Sequence, residues 1–263
     1  MLAKGLGMSE LFWNRLKASD LVNLAKRDAI VLLPVASTEQ HGPHLATGTD
    51  DVLCTEACRR AAQIVCETHP IVVAPTVWMG LAEHHVAFGG SFTVSLSTWH
   101  ALLRDLCEAI LRAGFTRIVI VNGHGGNMSA LNALTVELTR ALNAPIATTN
   151  YFAFMEDAMP GILQDQSGVQ HACEAETSMM MAARPDLVDK SRLQEAFGLQ
   201  ASMSSALARR MHVWRSFRTM SPSGVLGDAR RASTEKGERL LDAAAEGLAK
   251  ALVAGEPWRE DRH

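Results

Sequence analysis

Apolar positions along this chain follow two rhythms. Four short runs, 29–35 (AIVLLPV), 71–75 (IVVAP), 117–121 (RIVIV) and 145–149 (PIATT), are dense in β-branched residues. They predict buried strands. Between and after them the apolar residues recur at helical spacing. In 50–69 they are Val52, Leu53, Ala57, Ala61, Ile64 and Val65, with Thr49 where an N-cap belongs. In 97–113 they are Leu102, Leu103, Leu106, Ile110 and Leu111, ended by Gly114. Further helices are predicted over 127–143, over 176–184 before Pro185, and over 233–254. Strands alternating with helices favour a mostly parallel sheet with helices on both faces, a three-layer α/β/α sandwich. No repeat or linker interrupts residues 1–263, so one domain is the simpler division. The segment 193–228, rich in Ser, Met, Arg and Gly, lacks a clear period and reads as a lid or an interface.

In such sheets ligands bind beyond the carboxyl ends of the strands. Two polar clusters follow strands directly. The first is "STEQHGPH", residues 37–44, leading to Thr49-Asp50-Asp51. In extended chain Glu39 and His41 point the same way, and Asp50 closes in from the next helix. The second is "NGHGGN", where glycines flank His124. Its spacing is neither GxGxxG nor a Walker loop, and it suits a ligand or acid/base at a close approach. The third cluster, His171, Cys173, Glu174 and Glu176, does not share one helix face and predicts an irregular stretch. Taken alone, a loop His is a surface residue, and His69, His100, His212 and His263 are assigned no role. Taken together, the three clusters place imidazoles and carboxylates where one crevice would gather them, a donor set suited to Zn²⁺ or Mn²⁺. Two divalent ions bring four positive charges. Glu39, Asp50 and Glu174 with a bridging hydroxide would balance them.

Composition changes the picture little. The chain is 48% hydrophobic and 20% charged, with net charge −3. That favours neither nucleic acid nor an anionic membrane as partner. The first residues lack a signal-peptide core, and no apolar run is long enough to span a bilayer, so a soluble, cytoplasmic protein is expected. Five cysteines, an odd number without a CxxC pair, read as reduced helix residues rather than a disulfide or zinc framework.

"STEQHGPHLATGTD", "NGHGGN", "HACEAETSMMMAARPDLV" and "GVLGDARRASTEKGE" together resemble the creatininase (creatinine amidohydrolase) family, over about residues 28–239. The resemblance implies an α/β protein with a dinuclear centre of two divalent ions, Zn²⁺ and/or Mn²⁺, often assembled as a hexamer. It implies hydrolysis of a C–N bond in a small cyclic amide or related amide by a hydroxide held between the ions. Glu39, His41, Asp50 and His124 match metal ligands, with Asp50 bridging. His171 and Glu176 match the proton-handling residues, and His44 orients the loop. Creatininase proper carries an aromatic residue and a carboxylate where this chain has Gly125 and Gly126. Glu174 is then the expected substitute ligand, and Gly125 and Gly126 line the substrate space. His84, in a loop resembling the family's substrate-side loop, is expected to touch substrate, and its neighbour His85 to face solvent. Trp78, Trp214 and Phe88 are candidates for an aromatic wall. Rival readings are a formamide deformylase or a peptide-trimming member of the same family, and a non-catalytic metal-binding scaffold.

Overall fold

The computed structural model describes residues 10–164, 166, 168–198 and 213–258. Among the described residues, four strands form one parallel sheet, β1 (Ile30–Val35), β2 (Ile71–Val73), β3 (Arg117–Asn122) and β4 (Ile146–Asn150), in the order β2-β1-β3-β4. Strands β1 and β3 run side by side from Ile30↔Arg117 to Val35↔Asn122. All six residues of β1 are buried, which is why its sequence is apolar without alternation.

The alternation is in where the side chains go. Ile30 and Leu32 of β1, with Val119 and Val121 of β3, join one core with α2 (Thr49–Val65), α5 (Glu174–Ala183) and α6 (Thr234–Val253). Val31, Leu33, Ile118 and Ile120 join a second core with α3 (Leu96–Arg112) and α4 (Met128–Leu142). Two cores on opposite faces of one sheet give the three-layer sandwich the pattern predicted. The first core closes tightly where α6 crosses α5. A Cβ on Gly237 would stand 1.9 Å from the Ser178 carbonyl oxygen, so only glycine admits this crossing.

Three boundaries differ from the sequence reading. Helix α1 (Ala18–Lys26) was not predicted, because its apolar stripe of Leu21, Leu24 and Ala25 spans barely two turns and is only half buried. Gly48, not Thr49, is the capping residue of α2, and the Thr49 hydroxyl donates to the Ala46 carbonyl instead. Helix α5 starts at Glu174, two residues earlier than predicted. Of the segment 193–228, residues 199–212 lie outside the described residues. Its far flank returns to the fold, where the Leu226 amide donates to the His171 carbonyl. No helix among the described residues is long and apolar enough to cross a membrane.

Candidate metal centre

Strand order reverses between β1 and β3, and the crevice beyond their carboxyl ends is where the polar clusters meet. The loop after β1 brings Glu39 and His41, the first turn of α2 brings Asp50, and the loop after β3 brings His124. All four are buried. Asn122, at the end of β3, shapes the last of these loops. Its Oδ1 accepts from the His124 and Asn127 nitrogens at 3.1 Å each, and its Nδ2 donates to the His124 carbonyl at 2.7 Å.

Asp50 divides its two oxygens. Oδ1 lies 3.1 Å from His41 Nε2, and Oδ2 lies 3.0 Å from His124 Nδ1. Glu39 Oε2 is 3.1 Å from the same His124 nitrogen, and Glu176 Oε2 is 3.9 Å from His41 Nε2. Two overlapping donor triads result: Glu39, Asp50 and His124, and His41, Asp50 and Glu176, each with its atoms within 4.8 Å of one another. A third group of the same kind joins Glu39, His41 and His171.

The hydrogen bonds show what this arrangement lacks. His41 Nδ1 is 3.2 Å from the Glu39 carbonyl oxygen, which only accepts, so Nδ1 carries a proton. In the neutral ring Nε2 is then a bare lone pair facing two carboxylates. Neither His41 Nε2 nor Glu39 Oε2 makes an aligned hydrogen bond, although both are buried. Buried polar atoms without partners are rare and costly. A cation in each of the two triads would satisfy these atoms, and the mixed imidazole and carboxylate donors fit Zn²⁺ or Mn²⁺.

The electrostatics agree. Burial by itself would lower His41, but Asp50, Glu176 and Glu39 outweigh it and raise the imidazole to about 9. His124 is likewise raised well above its usual range against its burial, by Glu39 and Asp50. Burial would raise Asp50, but His41 and His124 hold it well below the usual carboxylate range. Burial, with Asp50 and Glu39 adding to it, lifts Glu176 to about 8. The carboxylates hold protons on the imidazoles where a metal would otherwise sit.

The structure does not bring every expected residue here. Glu174 is fully buried but turned away. Lys236 Nζ of α6 donates to its Oε1 at 2.5 Å, and the Gln164 amide donates to its carboxylate. The reason is the early start of α5. Within a helix, residues two apart point about 200° from each other, so only one of Glu174 and Glu176 can face the crevice. Glu176 does, anchored by the Ala172 amide at 2.5 Å. Ala172 takes φ +52° to aim it. The loop has no room for a carboxylate at Gly126 either, since a Cβ there would lie 2.4 Å from His124 Nε2 and 2.7 Å from the Leu81 carbonyl oxygen.

His44 is buried, with Nε2 2.7 Å from the Thr177 hydroxyl, and burial lowers it to about 4. His171 Nε2 is 2.7 Å from the Gln40 carbonyl oxygen, and burial together with His41 pushes the ring well below its usual range. A cavity of about 440 Å³ opens onto the cluster, lined among others by His84, His124, Gly125, Gly126, His171 and Glu176. Its aromatic lining is Phe152 and Phe217, whereas Trp78, Trp214 and Phe88 are not part of it. His85, read from sequence as a surface residue, is 1% exposed. Phe217 covers its ring at 4.4 Å, a contact from far along the chain that no local signal announces.

Known proteins share this frame. The profile of the creatininase family, creatinine amidohydrolase, matches residues 14–252. Creatinine amidohydrolase of Pseudomonas putida is 28% identical, over 95% of this chain and 97% of its own. The mycofactocin precursor peptide peptidase of Mycolicibacterium smegmatis is 31% identical, over 89% of this chain and 87% of its own. A crystal structure of creatinine amidohydrolase (creatininase) superposes with a TM-score of 0.80 at 25% identity, over 96% of this chain and 100% of that one. A Zn–Zn type creatininase variant and a Mn creatininase match with TM-scores of 0.76 and 0.75, both at 25% identity over 94% of this chain and 99% of theirs. The match spans the sheet and all the donor-bearing stretches, and the chain belongs to the creatininase family of hydrolases.

Proposed function

We propose that the protein is a metal-dependent amidohydrolase holding two divalent ions, Zn²⁺ and/or Mn²⁺. Glu39, Asp50 and His124 would hold one, and His41, Asp50 and Glu176 the other, with Asp50 shared. The observation that carries this reading is the two overlapping buried triads that share Asp50, in which His41 Nε2 and Glu39 Oε2 make no aligned hydrogen bond. Divalent ions in these triads supply Lewis acidity, lowering the pKa of water and polarising a carbonyl oxygen. The chain's own residues do the rest. His171 donates its Nε2 proton to the Gln40 carbonyl, which leaves the Nδ1 lone pair free to take a proton from the attacking water and return it to the leaving nitrogen. Glu176 serves here as a ligand, not as the base. His84, stacked on His124 at 5.6 Å, and the side-chain-free Gly125 and Gly126 bound the space for the amide.

The favoured substrate is a small cyclic amide or a related amide. A peptide-trimming activity is the second reading, favoured by the likeness to the mycofactocin precursor peptide peptidase. The five free cysteines suit a cytoplasmic location. A homo-oligomer, most simply a hexamer, is expected, and exposed apolar side chains such as Phe92 and Trp78 suit such contacts. Elemental analysis of metal-loaded protein is expected to give about two ions per chain. Screening cyclic amides, ureides, formamides and short peptides then finds the substrate class. A chain that binds no divalent ion, or hydrolyses none of these once loaded, overturns the proposal.

A further inference from the structure

The buried amide of Gln40 fixes more than its own position. Its Oε1 accepts from the Gly42 N–H at 2.9 Å, and an N–H can only donate, so this end is oxygen. Its Nε2 donates to the Gly224 carbonyl at 3.1 Å, so the other end is nitrogen. One amide proton remains for two neighbours, His85 Nδ1 at 2.9 Å and His171 Nε2 at 3.0 Å. His171 Nε2 already carries a proton, because it lies 2.7 Å from a carbonyl oxygen that only accepts. The remaining proton therefore goes to His85 Nδ1. That ring must carry its own proton on Nε2, which lies 3.2 Å from Glu39 Oε1.

The geometry points to His85 as a positioning residue for Glu39, set in its tautomer by Gln40. This role rests on the metal reading of the site. His85 Nε2 faces one oxygen of the Glu39 carboxylate, Oε1, and so turns the other, Oε2, toward His124 Nδ1 at 3.1 Å, inside the triad that would hold an ion. A carboxylate held by one oxygen keeps a coordination position open, as a catalytic centre requires. The ring is rigidly seated, since it stacks on His171 at 4.4 Å and lies under Phe217 at 4.4 Å. The device is a histidine that touches no metal and holds the residue that does.

The test compares wild type with His85→Phe, which keeps a ring and loses the donor, and with His85→Gln, whose amide nitrogen stands near the place of Nε2. Zn²⁺ or Mn²⁺ is titrated against a competing chelator. His85→Phe is expected to weaken one ion by about 10- to 100-fold, the scale of lost ligand support, and to leave the other unchanged. His85→Gln is expected to recover most of that loss, which a purely structural role would not produce. A crystal structure of metal-loaded wild type is expected to show Glu39 Oε1 on His85 and Oε2 on the ion. Unchanged affinity in His85→Phe, no recovery in His85→Gln, a bidentate Glu39, or His85 itself on the metal would each overturn the role. Wild type that binds no ion overturns the metal reading, and this role with it.

Discussion

The two sides of the first turn of α5 make an instructive pair. Glu174 and Glu176 are two residues apart and both are buried, yet one is complete and the other is not. Glu174 meets a cation that the chain itself supplies, Lys236, together with the Gln164 amide. Glu176 meets an amide and, across 3.9 Å, an imidazole that two other carboxylates also claim. Burial of a carboxylate therefore says little about function. What separates a structural acid from a functional one is whether its counter-charge is built into the fold or must come from outside.

Changing Glu176 breaks the comparison most strongly. Glu176→Gln is expected to lose one of the two ions and to cut hydrolysis by about 10³-fold, equivalent to about 4 kcal/mol. The metal-free fold is expected to keep its thermal stability, since no built-in partner is stranded. Metal analysis alongside rate measurement checks this, and a variant that keeps both ions would return Glu176 to proton handling. Glu174→Gln is expected to do the reverse. Lys236 would be left without its buried partner, at a cost of about 3 kcal/mol in denaturant unfolding, while metal content and turnover stay at wild-type levels. Glu174→Gln combined with Lys236→Met should recover most of that loss, because a buried pair replaced whole costs far less than a pair broken.

The smallest effect is a pH dependence. In metal-free protein His41 is raised from 6.5 to about 9, so its contribution to stability is full below 6.5 and lost as pH rises through 9. Glu176, raised from 4.5 to about 8, holds a proton in the fold that the unfolded chain has given up, and so acts in the same direction. The melting temperature of chelator-treated protein should therefore fall by several degrees between pH 6.5 and 9. The gain on adding metal should grow over the same window, because bound metal replaces those protons. A metal-free melting temperature that rises with pH there would show that the protons are not on these groups.

The sheet was legible because its strands are dense apolar runs between turn residues, and the helices of both faces because their stripes recur at a fixed spacing. Glu39, His41 and His124 were legible because each follows a strand within a few residues, where topology alone sends ligands, and Asp50 because it opens the helix that follows the first of those loops. The rest depended on quantities that local sequence does not carry. A helix starting two residues early turned Glu174 to α6 and Glu176 to the crevice. The burial of His85 depends on Phe217, and its orientation on the amide of Gln40. The aromatic lining came from Phe152 and Phe217, because Trp78 and Trp214 project outward.

The separation of the donors along the chain also has a kinetic consequence. Asp50 and His124 are 74 residues apart, and the contact that docks α5 on the first loop, between His44 and Thr177, spans 133 residues. In the unfolded chain an ion finds only the local set Glu39, His41 and Asp50, and neither triad is complete without His124 or Glu176. Closing such long loops must precede complete coordination of either triad. Metal therefore cannot seed folding here, as it does in small domains organised around a single ion. It acts on a finished native state and slows its loss. Refolding rates should be indifferent to zinc, and unfolding should slow as its concentration rises.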